Sequence, residues 1–102
     1  MDVKDRMTAL VIIEQAEAIL RNNTGEKSIV LPCLNLAAHK HLADVCYELM
    51  EPVEEVKGYD FMAYPVFTSY ITNKSEVEIF LNDSIDTETL LRGLDDLKDR
   101  IQ

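Results

Sequence analysis

The feature that most constrains this chain is a long aromatic and β-branched stretch near its middle. Residues 61–72 read Phe-Met-Ala-Tyr-Pro-Val-Phe-Thr-Ser-Tyr-Ile-Thr, a composition typical of a β-strand. Side chains alternate between the two faces of a strand. One predicted face carries Phe61, Ala63, Phe67 and Ile71, and the other carries Met62, Tyr64, Val66 and Tyr70. Both faces are apolar, so each needs a cover, either the chain's own helices or another molecule.

A second strand is predicted to return after a short turn at residues 73–75. Residues 77–81, Val-Glu-Ile-Phe-Leu, alternate as a half-buried strand does, so the two stretches predict a β-hairpin. Pro65 has no N–H to donate to a ladder and therefore marks an edge or a bulge. If helices cover the face with Val77, Ile79 and Leu81, the opposite face presents an apolar patch. That predicted assembly surface consists of Met62, Tyr64, Val66, Tyr70 and Phe80.

Apolar residues at helical spacing predict three helices. The first runs from Val3 to Asn22 and is followed by Gly25 as a stop signal. The second runs from about Asn35 to Met50, and Pro52 follows it. The third begins after Asp86, a natural N-cap. Gly93 lies inside this third helix, where we interpret it as tolerated rather than as required for packing.

These elements predict an α+β fold in one compact domain over residues 1–102. With a short strand at Ser28 to Leu31, the order is α-β-α-β-β-α: three helices packed on a small, mainly antiparallel sheet, with a C-terminal hairpin and helix. Residues 51–60 are interpreted as an acidic connector. A winged-helix fold has a similar order. However, residues 31–61 contain only Lys40 and Lys57 against six acids, so no DNA-reading helix is expected.

The formal net charge is -9, and most of the excess lies in the second half of the chain. Such a field repels phosphate, which argues against direct nucleic-acid binding and favours a protein partner with a basic surface. Simple solubilisation is the alternative explanation. The predicted acidic contacts are Glu51, Glu54, Glu55, Asp60, Asp95, Asp96 and Asp99.

The sequence also bears on the compartment. There is no apolar run of about 18 residues, and the first residues carry charges of both signs, so neither a membrane helix nor a signal peptide is expected. We therefore expect a cytoplasmic protein without membrane contact. Cys33 and Cys46 are then expected to be free thiols.

Chemistry-bearing residues are few. Cys33 follows a strand at the start of the second helix, where the helix dipole favours a thiolate. His39 and Cys46 lie along that helix, but seven residues apart. His41, Asp44 and Glu48 share a polar helix face that suits either a metal or solvent. No phosphate loop, nucleophile elbow or zinc helix occurs, so neither an enzyme nor a bound cofactor or metal is predicted.

Together these features predict a non-catalytic protein–protein interaction module, most simply a homodimer. The aromatic sheet face would assemble it, and the acidic surface would engage a basic partner. In its narrowest form this is a small acidic inhibitor that occupies a nucleic-acid-binding groove. The alternative is a small-molecule-binding or thiol-dependent protein that acts around Cys33, His39 and Cys46.

Overall fold

A computed structural model of the protein describes residues 1–57 and 60–102; for residues 54–57 and 60–62 it describes the backbone alone. The helices are α1 (Val3–Arg21), α2 (Leu36–Leu49) and α3 (Thr87–Ile101). The strands are β1 (Ser28–Pro32), β2 (Pro52–Lys57), β3 (Asp60–Pro65), β4 (Phe67–Thr72) and β5 (Glu76–Leu81).

The predicted fold class is confirmed: three helices accompany antiparallel strands, and a C-terminal hairpin leads into the last helix. The main sheet has the strand order β1-β5-β4, and both of its pairings are antiparallel. Strands β2 and β3 form a separate antiparallel ribbon. Helix α2 packs on β4 and β5, α1 contacts β1, and α3 packs between α1 and the ribbon.

The helix boundaries follow from local side-chain chemistry. The Asp2 carboxylate accepts a hydrogen bond from the Asp5 N–H at 2.8 Å, and the Asn35 side chain caps α2 in the same way. Beyond α1 the backbone takes two positive φ angles, 50° at Asn23 and 81° at Gly25. Such left-handed turns end helices, so the predicted stop after residue 22 lies within one residue of the observed end.

The predicted long strand, by contrast, is broken in two. Strand β3 ends at Pro65 and β4 begins at Phe67, and the two halves belong to different sheets. Asn82 fixes the corner, because its side-chain amide donates to the Pro65 carbonyl at 2.9 Å and its N–H donates to the Val66 carbonyl at 2.8 Å. Reading residues 61–72 as one strand was therefore wrong, although Pro65 did mark the irregularity.

The acidic connector predicted at residues 51–60 is also wrong in part. Its backbone forms β2, which pairs with β3 so that Val53 lies opposite Tyr64. Both side chains are buried against α3. Burial of this apolar cross-strand pair explains why a stretch with three nearby acids is extended. The prediction failed because the acids dominate the local composition and hide the contribution of Val53.

A register shift between Phe67 and Ser69 then reverses the faces of β4. Phe67 is fully buried, and Tyr70 lies opposite the buried Ile79, so both point toward the helices. Ile71 lies opposite Glu78 on the other face. Strict alternation predicted Phe67 and Ile71 together and Tyr70 opposite them; one β-bulge overturns that prediction, because an extra residue changes the side to which each later side chain points.

Gly93 is needed for packing, contrary to the interpretation made from sequence. A Cβ atom at this position would lie 2.6 Å from Val66 Cγ2 and 3.0 Å from the Tyr64 hydroxyl. Helix α3 therefore approaches the corner between β3 and β4 more closely than any larger residue allows.

Candidate interaction surfaces

The predicted aromatic assembly surface does not exist as one patch. Tyr64 and Val66 are 5% and 0% exposed and lie beneath α3. The Tyr64 hydroxyl donates to the Thr89 carbonyl at 2.9 Å, so its polar atom is satisfied inside the molecule. Tyr70 is half-buried on the helix side of the sheet. Met62 lies outside the described side chains, so Phe80 is the one predicted residue found on the opposite face.

That opposite face of the main sheet has an apolar surface of its own, which we call the outer sheet face; it consists of Val30, Ile71, Glu78 and Phe80. Val30 and Ile71 lie on either side of Glu78 in one cross-strand row. Val30 is 48% exposed and Ile71 is 56% exposed, whereas Phe80 is half-buried. Two β-branched side chains, one on each edge strand of the main sheet, therefore face solvent.

Glu78 is held in a fixed position within this face. The Ser28 hydroxyl donates a short hydrogen bond to the Glu78 carboxylate across the β1–β5 pair. Charge-assisted hydrogen bonds of this kind restrict a carboxylate to one orientation. The outer sheet face thus combines apolar side chains with one oriented negative charge, which makes it more selective than a purely apolar patch.

The predicted acidic surface is only partly available. Asp95 and Asp99 are exposed and four residues apart on α3, so they lie on the same side of the helix. Asp96 is instead half-buried, and its carboxylate lies 2.9 Å from the Arg100 guanidinium. Glu51 is exposed. Glu54, Glu55 and Asp60 lie outside the described side chains.

Glu51 borders a mixed-charge cleft of about 510 Å³ between the helix ends. Arg6, Arg100 and Glu48 also line this cleft. Arg100 additionally donates to the Pro52 carbonyl at 3.2 Å and so ties the end of α3 to β2. Because two arginines face two glutamates here, the charge around Glu51 is balanced, and the exposed negative charge of α3 is concentrated at Asp95 and Asp99.

Among the described side chains, the Glu17 carboxylate is buried and pairs with cations inside the molecule. Glu17 on α1 lies 2.6 Å from the Lys98 ammonium of α3 and 3.1 Å from the Arg21 guanidinium. The hydrogen bond with Glu17 raises the pKa of Lys98. This pairing joins α1 to α3 and removes two cations from the set that could offset the surface acids.

Cys33 and Cys46 are buried free cysteines, and His39 is hydrogen-bonded to a neighbouring turn. Burial, and secondarily the nearby Cys33, raises the pKa of Cys46 to about 11, so its thiol stays protonated at neutral pH. The His39 ring donates from Nε2 to the Asn73 carbonyl at 2.9 Å, which joins α2 to the turn after β4. These contacts suit packing better than nucleophilic catalysis.

His41 makes a hydroxyl–imidazole–carboxylate chain between two helices. Its Nε2 lies 2.9 Å from Thr8 Oγ1 and its Nδ1 lies 2.9 Å from the Asp5 carboxylate. The order of groups matches a catalytic triad, but Thr8 lies inside α1, where neighbouring N–H groups are used by the helix and cannot bind an oxyanion. The chain therefore joins α1 to α2. His41 pairs with Asp5, whereas Asp44 and Glu48, which share its predicted polar face, are exposed.

No group of three or more His, Cys, Asp or Glu side chains among the described residues is placed to hold a metal ion. Within the same residues, every helix is too short or too polar to cross a bilayer. No protein-family model, curated protein or solved structure matches the chain.

Proposed function

We propose that this chain is a non-catalytic protein–protein interaction module that self-associates through the outer sheet face. The observation that supports this is the exposed pair Val30 and Ile71 on either side of Glu78. Apolar side chains that project from a regular sheet form a flat, preorganised surface, and covering them releases ordered water at no cost in backbone entropy. A two-fold dimer uses the same surface on both copies, so one uncovered face is enough.

A sheet face is still proposed to form the dimer, but its residues differ from those expected from sequence. Tyr64, Val66 and Tyr70 contribute to the interior, whereas Val30 and Ile71 take their place beside Phe80. The second part of the proposal is a basic partner engaged by Asp95 and Asp99, the exposed acids of α3. In its narrowest form, the partner's basic surface is a nucleic-acid-binding groove and this chain is its inhibitor.

Sedimentation equilibrium of an Ile71→Lys variant tests the assembly step. We expect the wild-type chain to be dimeric at tens of micromolar, and Ile71→Lys to be monomeric, because the new ammonium groups would be desolvated in the interface. Met7→Lys is the matched control, since Met7 is 64% exposed but lies on α1. A wild-type chain that stays monomeric at millimolar concentration would contradict self-association, and equal effects of the two variants would contradict the assigned face.

The acidic contact is tested separately with a lysine- and arginine-rich peptide. The double change Asp95→Asn with Asp99→Asn should weaken binding and flatten its salt dependence, because charge attraction is screened by salt. Asp83→Asn, which removes one exposed charge from the loop before α3, is the control and should leave affinity nearly unchanged. If both variants weaken binding equally per charge removed, net charge rather than a located surface explains the attraction.

A further inference from the structure

The two edges of the main sheet differ in regularity. Strand β1 pairs with β5 over all five residues without a register shift. Strand β4 at the other edge contains the bulge between Phe67 and Ser69. Bulges protect sheet edges against strand addition because they twist the edge and disturb its hydrogen-bonding groups. The β1 edge lacks that protection.

Hydrogen bonds at both ends of β1 show which backbone groups face outward. The Leu81 N–H donates to the Lys27 carbonyl at 2.9 Å, and the Cys33 N–H donates to the Ser75 carbonyl at 2.8 Å. Antiparallel pairs alternate between bonded and non-bonded positions, so odd-numbered residues of β1 bond to β5. Ser28 and Val30 therefore point their N–H and C=O groups away from the sheet. No described residue bonds to these four groups.

A groove follows the same edge. It has a volume of about 420 Å³ and runs between α1, which contributes Gln15 and Ile19, and residues 26–30. A strand added to β1 would alternate its side chains between this groove and the outer sheet face. The half-buried Ile19 forms part of the groove wall, so an apolar side chain suits the groove.

The charges beside the edge are unbalanced toward acid. Glu26 lines the groove, Glu78 lies opposite Val30 on the outer face, and Lys27 is the one cation among the groove residues. The net charge of -9 adds a long-range field of the same sign. On the outer face an added strand would lie beside Val30, one strand further out than Glu78, so a long basic side chain there would reach toward Glu78 across Val30.

We infer that the β1 edge binds an extended, basic segment of a partner protein by strand addition, with apolar side chains in the α1–β1 groove and basic ones beside Val30, at the rim of the outer sheet face. Main-chain hydrogen bonds to Ser28 and Val30 would supply affinity, and the groove and Glu78 would supply selectivity. This inference rests on the proposed basic partner and specifies its conformation.

The test uses the full chain and a blocked hexapeptide of alternating lysine and valine. On saturation we expect hydrogen exchange of the Val30 amide to slow at least about tenfold, because the added strand accepts its hydrogen bond. Val30→Pro should weaken binding at least about tenfold, since proline has no N–H. The fold should survive this change, because the Val30 N–H makes no bond within the sheet.

Three comparisons make the test specific. Val30→Thr retains the N–H and should weaken binding much less than Val30→Pro does, and Thr72→Pro, which removes an outward N–H from the β4 edge, should bind like wild type. A peptide of alternating glutamate and valine should bind at least about tenfold more weakly, because it faces Glu26 and Glu78. Circular dichroism verifies that each variant is folded.

Several outcomes would overturn the inference. They are unchanged exchange at Val30 with millimolar peptide, equal binding by Val30→Pro and wild type, and equal binding of the acidic peptide. Protection of Val30 that grows with protein concentration alone would assign the edge to a second copy instead. Because the self-association test uses Ile71→Lys and sedimentation, failure of the dimer is distinguishable from failure of strand addition.

Discussion

The two faces of the main sheet are built from the same strands, yet only one is covered. On β5, Val77, Ile79 and Leu81 are almost wholly buried beneath the helices, whereas Glu76, Glu78 and Phe80 remain half-buried on the other side. Alternation within β5 therefore predicts which side chains share a face. What covers each face depends on where the helices lie, and here they leave Val30 and Ile71 open. The contrast separates residues that stabilise the chain from those available to a partner.

The sharpest test of that contrast is a pair of matched truncations. Ile79→Ala should lower the free energy of unfolding by about 3–4 kcal/mol, because it leaves a cavity in a closely packed core. Ile71→Ala removes the same atoms from the exposed face and should cost at most about 0.5 kcal/mol in the monomer. Urea unfolding at low protein concentration measures both. Similar losses would mean that the outer sheet face is packed, and would leave it unsuited to binding.

The stability of the covered side should depend on pH, because the Cys46 thiol is buried there. Burial raises its folded-state pKa to about 11, above the 9.0 of a thiol in water, so the folded state disfavours the thiolate. Stability from this group is complete below pH 9 and is lost as pH rises toward 11, by roughly 2–3 kcal/mol in total. The difference in pH dependence between wild type and Cys46→Ala isolates this loss from other titrating groups. Parallel curves would contradict the raised pKa.

Gly93 tests how tightly α3 covers the corner between β3 and β4. Gly93→Ala should destabilise by about 1–2 kcal/mol, since the clash with Val66 outweighs the gain of up to about 1 kcal/mol in helix propensity. Adding Val66→Ala should make the two effects less than additive, because the smaller side chain makes room for the new methyl group. Strict additivity, or a stabilising Gly93→Ala, would show that the contact is loose.

Features that local contacts fix could be predicted from the sequence, and features that long-range contacts fix could not. Helices were predicted well because apolar spacing and stop signals act within a few residues, as at Gly25 after α1. The α+β class followed from the order of elements. The corner at residue 66 was missed, because Asn82 fixes it from sixteen residues away. Long-range contacts of this kind leave no local pattern.

The candidate surface was mispredicted for the same reason. A single register shift on β4 exchanged Tyr70 for Ile71 on the outer sheet face. Tyr64 moved beneath α3 because β3 belongs to a different sheet. Pro65 was read from the sequence as an edge or a bulge and does mark the break, but it does not show that the two halves belong to different sheets. The presence of an uncovered apolar face was predictable from composition, but its residues were not.

The smallest expected effect is the change in stability when an acid of α3 is neutralised. It shows whether that acid contributes to the fold or is left free for a partner. Asp95 and Asp99 are like charges four residues apart, so Asp99→Asn should stabilise the fold by about 0.2–0.5 kcal/mol. Asp96→Asn, in the same helix, should instead destabilise slightly, because it removes the partner of Arg100. Thermal unfolding at low and high salt measures both shifts, which salt should reduce. If Asp99→Asn destabilised the chain, the residue would belong to the structural charge pairs rather than to the surface left for a basic partner.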